Sequence, residues 1–321
     1  MPEPGADAPG TGRPTRRRRG SRAYATVSAL LLVGGIIGLG WALRSSWREA
    51  HDRTLPSWPL MLLGVVGMLA FLVLCEQGWA ALFEGRTDRR RVARSYYLSQ
   101  LGKYLPGGIW QPAGQVGLSV GESVTARRAA LLFGLFLAEL MAAGLLVAGL
   151  GLALLGTGLP VIVRVFAGVA GAAGLAFRRP VVAALSRLVP ARWRLDADGL
   201  PSHRAFRRGL AWSTAAMLAQ GAVFGVLLAG TTGGGRDSWS FGPAFVAAWL
   251  AGFVAVPVPT GVGIREGVLV ALLGHHVAVA PILVASLAQR LAGVAADVVA
   301  VGVAATVTSG RRRVAGADSG P

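Results

Sequence analysis

Apolar stretches long enough to cross a bilayer recur along this chain, and no other property restricts its fold as strongly. A hydrocarbon core about 30 Å thick takes about 20 apolar residues in a helix. Six such stretches occur, at residues 24–43, 58–83, 129–155, 159–177, 210–230 and 282–307. Backbone N–H and C=O groups in lipid must be paired internally, so the expected class is an all-α integral membrane protein. The balance of 53% hydrophobic to 15% charged residues agrees, since it lies outside the range of an ordinary soluble domain.

The charges are distributed unevenly about these stretches. Of 32 Lys and Arg residues, 24 fall in the N-terminal tail, in residues 86–94, in Arg127 and Arg128, in residues 178–208 and in Arg311 to Arg313. Positive residues near span ends mark the cytoplasmic side, so both termini are expected to be cytoplasmic and the chain to lie in the cell membrane. The net charge of +17 is thereby a topology signal and a surface for anionic headgroups, and no nucleic acid partner is expected. The basic tail of residues 1–22 leads into the first span, read as retained because its apolar run exceeds a signal core. The segment 180–208 is expected along the inner leaflet. Cys75 is the one cysteine, so no intrachain disulfide forms, and packing is its expected role.

Two further apolar segments are interrupted. Residues 96–120 read YYLSQLGKYLPGGIWQPAGQVGLSV and lie between two arginine clusters assigned to one side, so the segment must enter and return. Pro106 removes a donor, and Gly107 and Gly108 permit a reversal. Residues 241–276 contain PVPTGVGIREG, in which Pro257, Pro259, Gly261 and Gly263 break the helix. Unpaired backbone at such depth is tolerated only against protein or a water-filled cavity. Each half, 23–157 and 158–309, then holds three spans and one re-entrant segment, and an odd span number turns the second copy upside down. This inverted repeat is the pattern of many transporters, with substrate near the interrupted helices. Residues 310–321 form a second cytoplasmic tail.

Charges at membrane depth usually face a cavity or a partner. Lys103 and Arg265 stand beside the two breaks, where a point charge and a bidentate fork could receive an anionic headgroup. Glu139, Glu266, Arg290 and Asp297 complete the set. The structural alternative pairs Arg265 with Glu139 or Glu266, and Arg290 with Asp297. Tyr104, Trp110 and Gln111 flank the first break and are candidates for lining a headgroup cavity. Glu76 and Arg164 are near enough to span ends to snorkel. No metal-ligand spacing surrounds His275-His276 and no phosphate-binding loop occurs, so neither metal nor cofactor is expected. The glycine clusters GGIIGLG and GVAGAAG point to close helix packing.

LGKYLPGGIWQ, PVPTGVGIREG and LVASLAQRLAGV resemble, in this order, the signatures of the membrane domain of lysylphosphatidylglycerol synthases, the flippase-like domain family. The resemblance covers about residues 25–307. It implies movement of an aminoacylated lipid across the bilayer, and it carries over Gly102, Lys103, Tyr104, Pro106, Gly107, Gly108, Pro257, Pro259, Gly261, Gly263, Arg265, Glu266 and Arg290. No aminoacyl transferase domain follows before Pro321, so the synthase activity is not expected. The expected function is a lipid flippase whose cargo is an anionic or aminoacylated phospholipid or a polyprenol-linked lipid. Two alternatives stand beside it. One is a non-catalytic membrane partner of a glycosyltransferase or lipid-modifying enzyme, recruited through residues 180–208; the other is a membrane lipid transferase using Glu139 or Glu266 as base.

Overall fold

The structure, a computed structural model, describes residues 56–105, 109–121, 124–154, 160–176, 200–233, 238–254 and 264–317. Their secondary structure is entirely helical. The helices are α1 (Trp58–Ala81), α2 (Arg89–Ser99), α3 (Trp110–Ser119), α4 (Ala126–Leu154), α5 (Val161–Ala176), α6 (His203–Thr231), α7 (Gly242–Val254), α8 (Ile264–Leu273) and α9 (Val279–Ala317). A 3₁₀ turn (Gln100–Tyr104) prolongs α2, and another (Ser238–Phe241) precedes α7. The expected first span, the tail 1–22, most of residues 180–208, and the breaks Pro106, Gly107, Gly108, Pro257, Pro259, Gly261 and Gly263 lie outside the described residues.

Four helices, α1, α4, α6 and the Val279–Thr306 part of α9, are long and apolar enough to cross a membrane. They coincide with four of the six expected spans. The fifth, α5, has 16 residues, about 24 Å of helix, which is shorter than a full hydrocarbon core. Its exposed face carries Val161, Ile162, Val165, Phe166 and Val169, and α1 likewise exposes Leu62, Leu63, Val66 and Val73. Contiguous apolar surface of this kind fits a lipid environment rather than water.

Local signals set the helix ends. Pro59 occupies the first turn of α1, where its missing N–H costs nothing. Asp88 caps α2 by accepting from the Arg90 N–H at 3.1 Å, and Ser202 caps α6 by accepting from the Ala205 N–H at 3.2 Å. After α1 the chain reverses at Glu84 (φ 52°) and Gly85 (φ 72°). The left-handed conformation is unusual for Glu84. Its carboxylate accepts from the Ser202 N–H at 3.1 Å, which ties this turn to the start of α6.

The helix neighbours fall into matched pairs. α1 packs on α9 and α6 on α4; α2 packs on α9 and α7 on α4; α3 packs on α4 and α8 on α9; α2 packs on α3 and α7 on α8. The α1–α6 contact is the most extensive and stands at the centre of this arrangement. Small residues permit the closest crossings. A Cβ at Gly221 would stand 3.0 Å from the Gly242 carbonyl oxygen, and one at Gly171 would stand 3.1 Å from that of Leu145. The second contact shows the GVAGAAG cluster packing α5 on α4, as its composition suggests. Around Trp79, fully buried, the rings of Phe83, Phe136 and Phe133 stand edge-on at 4.8, 5.6 and 6.5 Å. A second core joins α6 to α7 through the stacked Phe224 and Phe245, 4.9 Å apart.

Candidate functional site

The first interrupted segment is an antiparallel helical hairpin, and buried polar side chains set its register. Ser95 and Ser119 place their hydroxyls 2.9 Å apart, Ser99 donates to Gln115 Oε1 at 3.5 Å, and Gln111 Nε2 donates to Gln100 Oε1 at 3.3 Å. Position rises on α2 as it falls on α3, which is what a chain returning along itself produces. Gly102 lets the arms touch: a Cβ there would lie 2.6 Å from the Gln111 backbone nitrogen. Ser95 also accepts from Trp79 Nε1 at 3.2 Å, joining the hairpin to α1. Ser95→Ala is expected to cost about 1–3 kcal/mol, the scale of a buried donor left without an acceptor. Thermal unfolding in detergent measures that loss.

A charged pair anchors the outer end of α2. Arg89 binds Glu76 with both of its terminal nitrogens, Nη2 donating to Oε2 at 2.6 Å. Glu76 was expected to snorkel from a span end, but it is 2% exposed. α1 continues past it to Ala81, and the chain folds Arg89 back over it.

The inner end of the hairpin meets α9. Lys103 Nζ lies 2.6 Å from Asp297 Oδ2, and the Tyr104 hydroxyl donates to the same oxygen at 2.5 Å. Lys103 also donates to Gln100 Oε1 at 3.5 Å, so the polar ladder runs unbroken into the ion pair. Asp297 is fully buried, and its Oδ1 has no hydrogen-bond partner among the described residues. Two turns earlier on α9, Arg290 donates to Glu266 Oε1 at 2.9 Å, and Ser286 donates to the same oxygen at 3.2 Å. Glu266 belongs to the first turn of α8, directly after the second break.

The pairing differs from the structural alternative read in the sequence. Arg290 and Asp297 share a face of α9, but seven residues separate them by about 10 Å of rise, too far for a direct contact. Each instead takes its partner from a different interrupted segment. Arg265 is not drawn to Glu139. Its guanidinium lies 4.1 Å from the centre of the Phe245 ring on α7, a cation–π contact, and its Nε is buried without a hydrogen-bond partner among the described residues.

Lys103, Tyr104, Arg265, Glu266 and Arg290 are therefore brought to the α9 region, with Gln111 joined to them through Gln100. Trp110, at the start of α3, is 44% exposed. Glu139 stands apart at the middle of α4, fully buried, with no hydrogen-bond partner for either carboxyl oxygen among the described residues. Sequence reasoning missed Ser95, Ser99, Gln100, Gln115 and Ser119. Their four-residue spacing on α2 and α3 within apolar segments was the available signal. Among the described residues no group of His, Cys, Asp and Glu could hold a metal ion. Comparison of the chain with models of known protein families and with curated proteins found no match.

Proposed function

We propose that the protein is a flippase-like lipid transporter of the cell membrane. Its cargo is an amphipathic lipid with an anionic or aminoacylated head, or a polyprenol-linked lipid. In this reading six helices span the bilayer, the α2–α3 and α7–α8 hairpins re-enter from opposite faces, and residues 23–157 and 158–309 are inverted repeats. Several observations support it. Each hairpin arm of 10 to 13 residues is about half a span long. Among the described helices, exchanging α1 for α6, α2 for α7, α3 for α8 and α4 for α9 turns one set of helix contacts into the other. The excess of arginine in the tails and in residues 86–94 agrees with cytoplasmic termini.

The observation that carries the proposal is the convergence of two interrupted segments, each delivering charge to one face of α9. Half-helix arms that meet at mid-membrane are where transporters place their substrate. An anionic headgroup competes with Asp297 for Lys103 and with Glu266 for Arg290. Arg265, held over an aromatic ring, supplies a further cation beside the second break. The residues and motifs that resemble the lysylphosphatidylglycerol synthase membrane domain are those at the two breaks and on α9. The transferase alternative has less support: Glu266 is already engaged by Arg290 and Ser286, and Glu139 is 0% exposed, closed off from a reacting lipid. The recruitment alternative rests on residues 180–208, of which the described part begins α6.

Translocation of labelled phosphatidylglycerol, its lysyl form and a polyprenyl phosphate sugar in proteoliposomes tests the proposal. The wild type is expected to move one of these classes. Lys103→Ala/Arg265→Ala is expected to slow that movement at least about tenfold, the factor corresponding to about 1.4 kcal/mol of lost headgroup binding. A folded wild type that moves none of the three overturns the proposal.

A further inference from the structure

Glu139 is the fourteenth of the 29 residues of α4, midway along a helix long enough to cross the membrane. It is 0% exposed, and among the described residues both carboxyl oxygens lack a hydrogen-bond partner. The carboxyl lies against Gly209 of α6, where an added methyl would come within 2.6 Å of Oε1 and 2.7 Å of the carboxyl carbon. One turn further along α6, the hydroxyl of Ser213 is likewise fully buried and without a hydrogen-bond partner among the described residues. Ser213 faces Gly78 of α1, at whose absent Cβ the Phe136 ring of α4 also arrives. Two unsatisfied polar side chains thus occupy a junction of α1, α4 and α6 made close by glycine.

An acid kept only for structure would have donors around it, as Glu76 has Arg89. An ionised carboxylate without a partner in such surroundings costs many kcal/mol, whereas the neutral acid needs no counter-charge. The neighbouring helices bring no such charge. α3 and α7 carry no titratable group, α5 carries Arg164, and α1 carries Cys75 and Glu76. α6 carries His203, Arg204, Arg207 and Arg208 in its first two turns, α4 itself starts with Arg127 and Arg128, and Tyr96 of α2 reaches α4 through Phe136. Among the described residues none of these hydrogen-bonds to the Glu139 carboxyl. A metal cation would need several oxygen ligands. Among the described residues no group of His, Cys, Asp and Glu that could hold one includes Glu139.

We infer that Glu139 carries an exchangeable proton, held while α4 and α6 are in contact and released when they separate, so that lipid movement draws on the proton gradient. This deepens the transporter reading above and rests on it for the coupling, although not for the proton site itself. On release the carboxyl O–H bond breaks, the proton passes to water entering between the helices, and the carboxylate remains on Glu139. Opening α6 from α4 withdraws the Gly209 backbone from the carboxyl that fills its notch, and so exposes that carboxyl to water.

Infrared difference spectroscopy of wild type against Glu139→Gln in nanodiscs tests the proton site. The expected result is a protonated-carboxyl band at neutral pH that is absent in Glu139→Gln and fades in the wild type as pH rises. Absence of that band overturns the site, as does a band that sodium alone removes at fixed pH. Proteoliposomes test the coupling. Reversing the pH gradient is expected to change the wild-type translocation rate several-fold and to leave Glu139→Gln unresponsive. A wild type that moves lipid at the same rate under either gradient overturns the coupling while sparing the transporter reading. A wild type that moves no lipid overturns the transporter reading and the coupling with it, and the infrared result still decides the proton site.

Discussion

Asp297→Ala is expected to lower folding stability by about 3–5 kcal/mol, the range for removing one partner of a buried ion pair. Asp297 is the buried member, 1% exposed against 32% for Lys103, the only lysine in the chain. Its loss strands the lysine and the Tyr104 hydroxyl together, at the point where the first hairpin docks on α9. Replacing the whole cluster by apolar groups removes the stranded charge. Lys103→Met/Asp297→Leu/Tyr104→Phe is therefore expected to regain most of the lost stability. Unfolding midpoints in detergent for the single and triple variants make the comparison. If the single substitution costs under about 1 kcal/mol, the pair is no stronger than an exposed one, and the docking of the hairpin rests on the serine and glutamine ladder instead. Lipid translocation by the triple variant separates fold from function: a stable but inactive protein assigns the cluster to headgroup handling.

Gly102→Val is the other large effect. Its added atoms would stand 2.6 to 2.8 Å from the backbone of Trp110 and Gln111, and those atoms cannot rotate away as a side-chain end can. The two arms must part, which breaks the Gln111–Gln100 bond and moves Lys103 away from Asp297. Overpacking of this kind costs about 1–3 kcal/mol, and more where backbone must move. Gly117, within α3, has nothing within 4 Å of its absent Cβ and provides the control. Gly117→Ala is expected to stabilise the same hairpin by about 0.5–1 kcal/mol, the helix-interior difference between glycine and alanine. Unfolding midpoints that fall for Gly102→Val and rise for Gly117→Ala establish the hairpin contact. Equal responses at the two positions would dissociate stability from the close approach of the arms.

Much of this fold was legible before any coordinates. The runs at 58–83, 129–155, 210–230 and 282–307 became α1, α4, α6 and α9, because a stretch that long and apolar has few alternatives to a helix. The two interruptions were equally visible, as proline and glycine within apolar runs leave only half-length arms on either side. What could not be read was the partner of each charge. Arg290 and Asp297 look like a pair in one dimension, and Arg265 with Glu139 looks plausible by count alone. The choice among partners depends on helix–helix contacts between residues as far apart as Tyr104 and Asp297, 193 positions in sequence.

Composition and the length of apolar runs thus determined the helical class, the four long apolar helices and the short helices that flank the two interrupted motifs. Each of these follows from local backbone satisfaction and from the length of apolar runs. The tertiary structure alone decided that α9 receives charge from residues beside both interrupted motifs, that Glu76 is buried under Arg89, and that Glu139 finds no partner among the described residues. Ion pairs and hydrogen bonds act over a few ångströms, and only the packing of distant helices brings those atoms within reach.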